Sequence, residues 1–288
     1  MTRLKADLGL MSITVFWGTT FIISKLILTD IPVSLYLAIR LVLAALILNF
    51  IIIKSYHKIN RIVLRDSIIL GFLMFFTFFF QMKGIIHTTA SNAGFITGLS
   101  VILVPIIGFI FLKTKPALNV IIGIFLALAG LLLLTGADPS HWNQGDILVL
   151  ICSFFAALHI IYTGMVSIKH DVYLLTGIQV ATAGILSMTI LMAAPFDFSM
   201  VSFSHLGGLL YLALFGTIYA YLMQTAMQRH TTPARTALIF ALEPLFAALF
   251  AMAFSLERLT SLQWTGGILI VLSMILAEIW FPKFKKIK

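Results

Sequence analysis

Ten stretches of about 20 apolar residues, each ended by charges or turn formers, constrain this chain more than any other feature. They run over residues 8–28, 33–53, 67–86, 93–111, 118–135, 146–166, 173–194, 205–227, 234–255 and 262–281. Each is long enough to cross a hydrocarbon layer as a helix, at a rise of about 1.5 Å per residue. Inside lipid the backbone must satisfy its own hydrogen bonds, which leaves helices or a closed barrel, and runs of this length favour helices. The connections are short and rich in turn and helix-start signals: Asp30–Pro32, Lys115-Pro116, Asp138–Ser140 and Thr231–Pro233. None is long enough to hold a soluble domain. Composition agrees, since 61% of the 288 residues are hydrophobic and only 10% charged, against about 25% charged in soluble domains. The predicted fold is therefore an all-α membrane protein of ten transmembrane helices.

The net charge of +9 would fit a nucleic-acid partner if the basic residues formed one patch, but they lie between the apolar runs. Fifteen of the nineteen fall on one side of the predicted membrane: Arg3, Lys5, Lys54, Lys58, Arg61, Arg65, Lys113, Lys115, Lys169, Arg229, Arg235, Lys283, Lys285, Lys286 and Lys288. The other side has Lys25, Lys83 and Arg258, and Arg40 falls within a span. Basic residues mark cytoplasmic loops, so both termini are predicted to be cytoplasmic, as an even helix count requires. The first apolar run is followed by nine more and shows no small-residue cleavage motif, so it is predicted to remain as the first helix. The one cysteine, Cys152, sits in an apolar stretch and is predicted to be a buried, inert thiol.

The chain repeats itself. A shift of 139 pairs Asp7 with Asp146, Phe16 with Phe155, Leu35 with Leu174, Ile39 with Ile178, and Arg40 with Gln179. A shift of 143 pairs His87-Thr88-Thr89 with His230-Thr231-Thr232, and a shift of 144 pairs Gly123 with Gly267. Residues 1–136 and 137–288 thus read as two five-helix units. A unit with an odd number of helices enters the membrane from opposite sides in its two copies. Such inverted repeats are a hallmark of secondary transporters, in which two halves rock about a site near the midplane. The expected architecture is two inverted repeats around a central cavity.

Several motifs resemble the EamA type of the drug/metabolite transporter superfamily. In the first half these are Trp17-Gly18-Thr19-Thr20-Phe21 with Lys25 and Arg40, then Gln81 to Pro105 with Gly84, Thr88–Phe95, Ile96-Thr97-Gly98-Leu99 and Val104-Pro105. In the second half they are Arg235, Ala241-Leu242-Glu243-Pro244, Leu256-Glu257-Arg258-Leu259, Gln263 and Gly266. The resemblance covers almost the whole chain. It implies ten helices, paired inverted repeats and carrier activity on amino acids, other metabolites or toxic compounds, often outward. One departure is Lys113, which stands where the second half has Glu257, so any role of that acidic turn is not symmetric.

Ionisable groups within hydrocarbon are costly and are functional candidates by default. Glu243 falls near mid-membrane beside Pro244, which should break its helix. It could bind a cationic group or carry a coupling proton, or it could pair permanently with Arg40 and fix packing. His159 could carry a proton or join two helices by a hydrogen bond. Lys25 and Arg40 lie at similar predicted depth and could attract a carboxylate or phosphate, although Lys25 could equally snorkel to the interface. Trp17, Gln81, Gln179, Tyr219 and Gln224 complete the predicted substrate-binding set, offering stacking and hydrogen bonds to a small-molecule pocket. Glu243 and His159 are the proton-coupling candidates. Gly123, Ala127 and Gly130 in helix five, with Gly266, Gly267 and Ser273 in helix ten, are predicted to let helices pack closely.

No phosphate-cradling glycine loop, His-Glu-x-x-His or Gly-x-Ser-x-Gly occurs. The expectation is a non-enzymatic secondary transporter without cofactor or metal, in a bacterial inner membrane, acting as monomer or homodimer on a small organic metabolite and working as an exporter. Alternatives are a multidrug efflux carrier, or a membrane enzyme or accessory protein.

Overall fold

Charged residues do not stop these helices as early as apolar counting implies. In the computed structural model, which describes residues 2–88, 90–113, 117–136, 143–193, 196–253 and 259–279, the first helix begins at Arg3 rather than Leu8 and the third at Arg61 rather than Ser67. A helix end in the interfacial layer can keep its polar side chains wet while its backbone bonds continue. The helices are α1 (Arg3–Ile27), α2 (Val33–Ile52, continued by a 3-10 turn Ile53–Lys58), α3 (Arg61–Ile85), α4 (Ala90–Gly98), α5 (Ser100–Leu112), α6 (Leu118–Thr135) and α7 (Gln144–Val166). They continue as α8 (Val172–Met192), α9 (Phe203–Ala213), α10 (Ala220–Gln228), α11 (Pro233–Phe240), α12 (Glu243–Ala253) and α13 (Ser261–Ile279). Thr89, Lys115, Asp138–Ser140, Leu256, Glu257, Arg258 and the four C-terminal lysines lie outside the described residues.

The extra helices arise because three spans are interrupted. α4 and α5 together make the fourth span, α9 and α10 the eighth through a π segment at Leu214–Tyr219, and α11 and α12 the ninth. Among the described residues nine helical stretches are long and apolar enough to cross a bilayer, and α13 supplies a shorter apolar helix. Helix starts follow local chemistry. Asn60 accepts from the Ile62 and Val63 amides, Asn143 and Asp146 form a reciprocal capping box, and Thr232 caps α11 ahead of Pro233 at its first turn.

The outer surface is apolar. Phe203, Phe50, Phe111, Phe125 and Ile185 stand largely exposed, as expected where lipid replaces water as the solvent. The chain is a multi-pass membrane protein.

Inside, small residues set the closest approaches. α6 lies against α13: a Cβ at Gly130 would come within 2.7 Å of the Gly266 carbonyl oxygen, and one at Gly266 within 2.4 Å of the Leu134 amide nitrogen. A Cβ at Gly123 would meet the Ser273 carbonyl oxygen at 3.1 Å. These are the positions expected from sequence to serve packing, and in lipid such contact is what holds helices together. The other helix contacts come in pairs. α1 touches α12, and α7 touches α5; α1 touches α10, and α7 touches α3; α2 touches α9, and α3 touches α8. Each partner of a pair turns into the other when spans one to five are exchanged with spans six to ten.

Candidate functional site

Interrupted helices expose backbone groups, and the first question is what satisfies them. In the π segment the backbone bonds reach one residue further than in an α-helix, and the Gly216 carbonyl takes side-chain donors from two other helices. Arg40 Nη2 donates to it at 3.1 Å and Trp17 Nε1 at 3.1 Å. Arg40 Nε donates to Thr217 Oγ1 at 3.1 Å, and Nη1 donates to the Tyr36 hydroxyl at 3.0 Å. Its guanidinium carbon lies 4.3 Å from the centre of the Phe78 ring. Arg40 is 1% exposed, yet it is bound to three oxygens and one aromatic face. It does not pair with Glu243. That corrects the expected Arg40–Glu243 pair, because the π segment supplies Arg40 with nearer acceptors.

The ninth span breaks at Ala241-Leu242, immediately before Glu243-Pro244. Pro244 has no amide proton to continue the ladder, so the expected break is present. The fourth span breaks at Leu99, immediately before Ser100. A shift of 143 carries Leu99 onto Leu242 and Ser100 onto Glu243. Both breaks therefore fall at corresponding places in the two halves.

Between them lies a cavity of about 70 Å³, several times what one water needs. Trp17, Arg40, Gln81, His159, Gln224 and Glu243 all line it, so six of the nine residues expected from sequence converge there. Thr20, Phe78, Ser100, Tyr221 and Phe240 line it too and were not singled out from sequence. The repeat was the signal that could have found them. Shifts of 139 or 143 relate Thr20 to His159, Phe78 to Tyr221, Gln81 to Gln224, and Ser100 to Glu243, and all eight residues line the same space.

Aromatic rings form much of the wall. Trp17 meets Phe240 edge-on at 5.0 Å and Tyr221 at 6.0 Å, while His159 meets Tyr221 edge-on at 5.3 Å. His159 Nε2 lies 3.0 Å from Gln179 Oε1, joining α7 to α8 as one of its two expected roles required. Glu243 is 9% exposed and has no hydrogen-bond or ion-pair partner among the described residues, a costly state for a carboxyl group in a low-dielectric site.

Three expected site residues are elsewhere. Lys25 is exposed at the end of α1 and does not line the cavity that Arg40 borders. Gln179 is fully buried behind His159. Tyr219 exchanges a hydrogen bond with Ser12 at 2.7 Å and packs edge-on against Phe16. Cys152 is buried, as expected.

Polar ties join the two halves near both ends of the bundle. On the face where the chain begins, the Arg235 guanidinium of α11 donates to both carboxylate oxygens of Asp7 in α1, and both side chains are largely buried. On the opposite face the Thr88 hydroxyl donates to Asp146, the counterpart of Asp7.

The description of the EamA-like transporter family matches the chain twice, over residues 4–136 and 143–278. The chain belongs to the EamA-like transporter family. Its EamA relatives include an uncharacterized transporter of Archaeoglobus fulgidus, 32% identical over 96% of this chain and 87% of that protein. The uncharacterized inner membrane transporter YedA of Escherichia coli is 24% identical over 94% of this chain and 90% of its own length. Transporter YyaM of Bacillus subtilis, also uncharacterized, is 26% identical over 99% and 97%. A solved crystal structure only 14% identical superposes with a TM-score of 0.77 over 96% of this chain and 98% of the other, so the two share a fold. The EamA assignment makes this membrane protein a transporter.

Proposed function

We propose that this chain is a secondary carrier of small organic solutes, working by alternating access between two inverted five-helix halves of a ten-helix bundle. The observation that carries the reading is the cavity: corresponding residues of both halves line it, and corresponding helix breaks flank it. A site built from both halves changes its access when one half rocks against the other. The paired helix contacts support the same inverted relation.

Glu243 is the coupling group of this reading. A carboxyl with no partner among the described residues, set at a helix break and lining the cavity, is stable either with a proton or with a cationic solute, but not empty and charged. Exchange of one for the other links solute movement to the proton gradient in opposite directions, which makes export the working direction under an inward proton gradient. The distribution of lysine and arginine supports cytoplasmic termini. With the relative named as an inner membrane transporter, it supports placement in a bacterial inner membrane.

The test is flux in proteoliposomes across a panel of metabolites, with and without a pH gradient. Solute movement that accelerates with the gradient supports the reading, and Glu243→Gln should abolish the acceleration while leaving folding intact. Protein-dependent flux that ignores the gradient and is unchanged in Glu243→Gln would remove the coupling role.

A further inference from the structure

A second hollow, of about 660 Å³, opens to the lipid-facing surface between α2 and α8. The repeat builds it: a shift of 139 relates Val42 to Ala181, Ala45 to Gly184 and Leu46 to Ile185, and all six line it. Small residues close its floor, since a Cβ on Gly184 would meet the Leu41 carbonyl oxygen at 3.2 Å and the Ala45 Cβ at 3.4 Å. Leu46, Phe50 and Ile185 stand as exposed apolar walls. Its two polar side chains are engaged within the protein. The Tyr56 hydroxyl donates to Asn49 Oδ1 at 2.6 Å, and Asn49 Nδ2 donates to the Ala45 and Gly177 carbonyls at 2.8 and 3.2 Å. The surface left for an occupant is chiefly hydrocarbon, which suits an apolar chain better than a polar solute.

Along α2 the groove runs from Val42 to Ile53, about 16 Å at a helical rise. That is the depth of one leaflet, half of a hydrocarbon layer about 30 Å thick. Val42 falls near the middle of α2, so the groove lies in the leaflet on the face where the chain begins. There the chain leaves the groove at Tyr56 and passes through a basic turn. Lys54, Lys58 and Arg61 are exposed and have no ion-pair partner among the described residues, and Arg65 follows, paired with Asp66. A shift of 139 carries residues 54–65 to 193–204, which hold no lysine or arginine and one aspartate, Asp197. The groove is thus joined to positive charge at one end only.

We infer that this groove seats one acyl chain of an anionic phospholipid from that leaflet, its phosphate lying against Lys54, Lys58 and Arg61. Lysines and arginines clustered just past a span attract anionic headgroups, and the groove gives the attached chain a fixed place. α2 belongs to the first half and α8 to the second, so the lipid lies across a line where the halves meet. A second copy of this chain is the poorer occupant. Docked here about a twofold axis, it would set its own basic turn against this one.

The probes are phosphatidylglycerol and phosphatidylcholine with the same acyl chains, one chain of each bearing a diazirine, on purified full-length protein in neutral detergent. Irradiation and peptide mapping should place the phosphatidylglycerol label on residues 42–53 and 181–188. Unlabelled phosphatidylglycerol should compete at least about tenfold more strongly than phosphatidylcholine, and added salt should shrink the difference. Lys54→Gln, Lys58→Gln and Arg61→Gln should each weaken phosphatidylglycerol by up to about fivefold and leave phosphatidylcholine unchanged. Ala181→Phe, which fills the groove, should remove the label from residues 42–53. Label spread evenly over the lipid-facing helices, or equal competition by the two lipids, overturns the inference. So does groove label that survives Ala181→Phe in a variant of parental melting temperature. An unlabelled groove whose filling changes the oligomeric state assigns it to a second copy and overturns the inference as well. If Ala181→Phe does not fold, the peptide map and the glutamine variants still decide.

Discussion

Replacing Asp7 by leucine removes the carboxylate to which the buried Arg235 guanidinium donates. Both side chains of the pair are less than a tenth exposed, and the guanidinium donates to both carboxylate oxygens. Losing one member of such a pair costs about 3–5 kcal/mol, because the survivor stays desolvated. The site lies near the end of α1, where water can approach, so the expected loss is about 3 kcal/mol, the low end of that range. This corresponds to a factor of roughly 150 in the folding equilibrium. Arg235→Met should cost a similar amount. The double variant should cost under about 1 kcal/mol, because an apolar pair of similar volume needs no compensation. Reversible unfolding of purified protein in mixed detergent micelles measures all four free energies and should yield a coupling of about 5 kcal/mol, the two single losses less that of the double variant. Single losses that add in the double variant, to within about 0.5 kcal/mol, would refute the claim that these two side chains act as a unit across the halves.

Three more outcomes test other parts of the structure. Gly266→Ala should destabilise by about 1–3 kcal/mol, since its Cβ would press on backbone atoms of α6. Gly207→Ala, whose Cβ would meet nothing within 4 Å, serves as the control in the same unfolding assay and should be neutral or slightly stabilising. Arg40→Lys should cost roughly 2–4 kcal/mol, because one ammonium cannot reach Gly216, Thr217 and Tyr36 together. A lysine variant of parental stability would show that the π segment does not depend on the guanidinium. The His205 side chain donates to Asp30 at 2.9 Å and, as the largest influence, holds the exposed Asp30 carboxyl below its ordinary value of 3.8. Its stabilising contribution is therefore present above pH 3.8 and lost as pH falls through the lowered value. Asp30→Asn should lower the melting temperature slightly near neutrality, and the difference from the parent should vanish only in acid. A difference that grows as pH falls would contradict this sign.

Much of the site was legible because the two halves repeat. Glu243 stood out as an ionisable group beside a proline in an apolar run, and the break before it is where Pro244 required. His159, Trp17, Gln81 and Gln224 were candidates on polarity and depth alone, and all four reach the cavity. Arg40 reaches the cavity too, but its partners come from the π segment of the eighth span. A π segment depends on how neighbouring helices meet its carbonyls, and no residue type announces that. Lys25 does not reach the cavity: similar depth on adjacent helices does not by itself put two side chains on the same face. Gln179 and Tyr219 show the same limit, since both are polar and deep but turn toward His159 and Ser12.

The sequence by itself determined that this protein lives in lipid, where its apolar runs lie, and that the runs repeat. Those properties depend on transfer free energies and local spacing, which each segment carries independently of its neighbours. Only the tertiary structure decided which polar side chains are already committed and which are free. In a bilayer every buried polar group seeks a partner, and the partner comes from another helix. Arg40 is held by a π segment remote in sequence, Gln224 is oriented by a backbone carbonyl on α7 through Gln228, and Glu243 has no hydrogen-bond or ion-pair partner among the described residues.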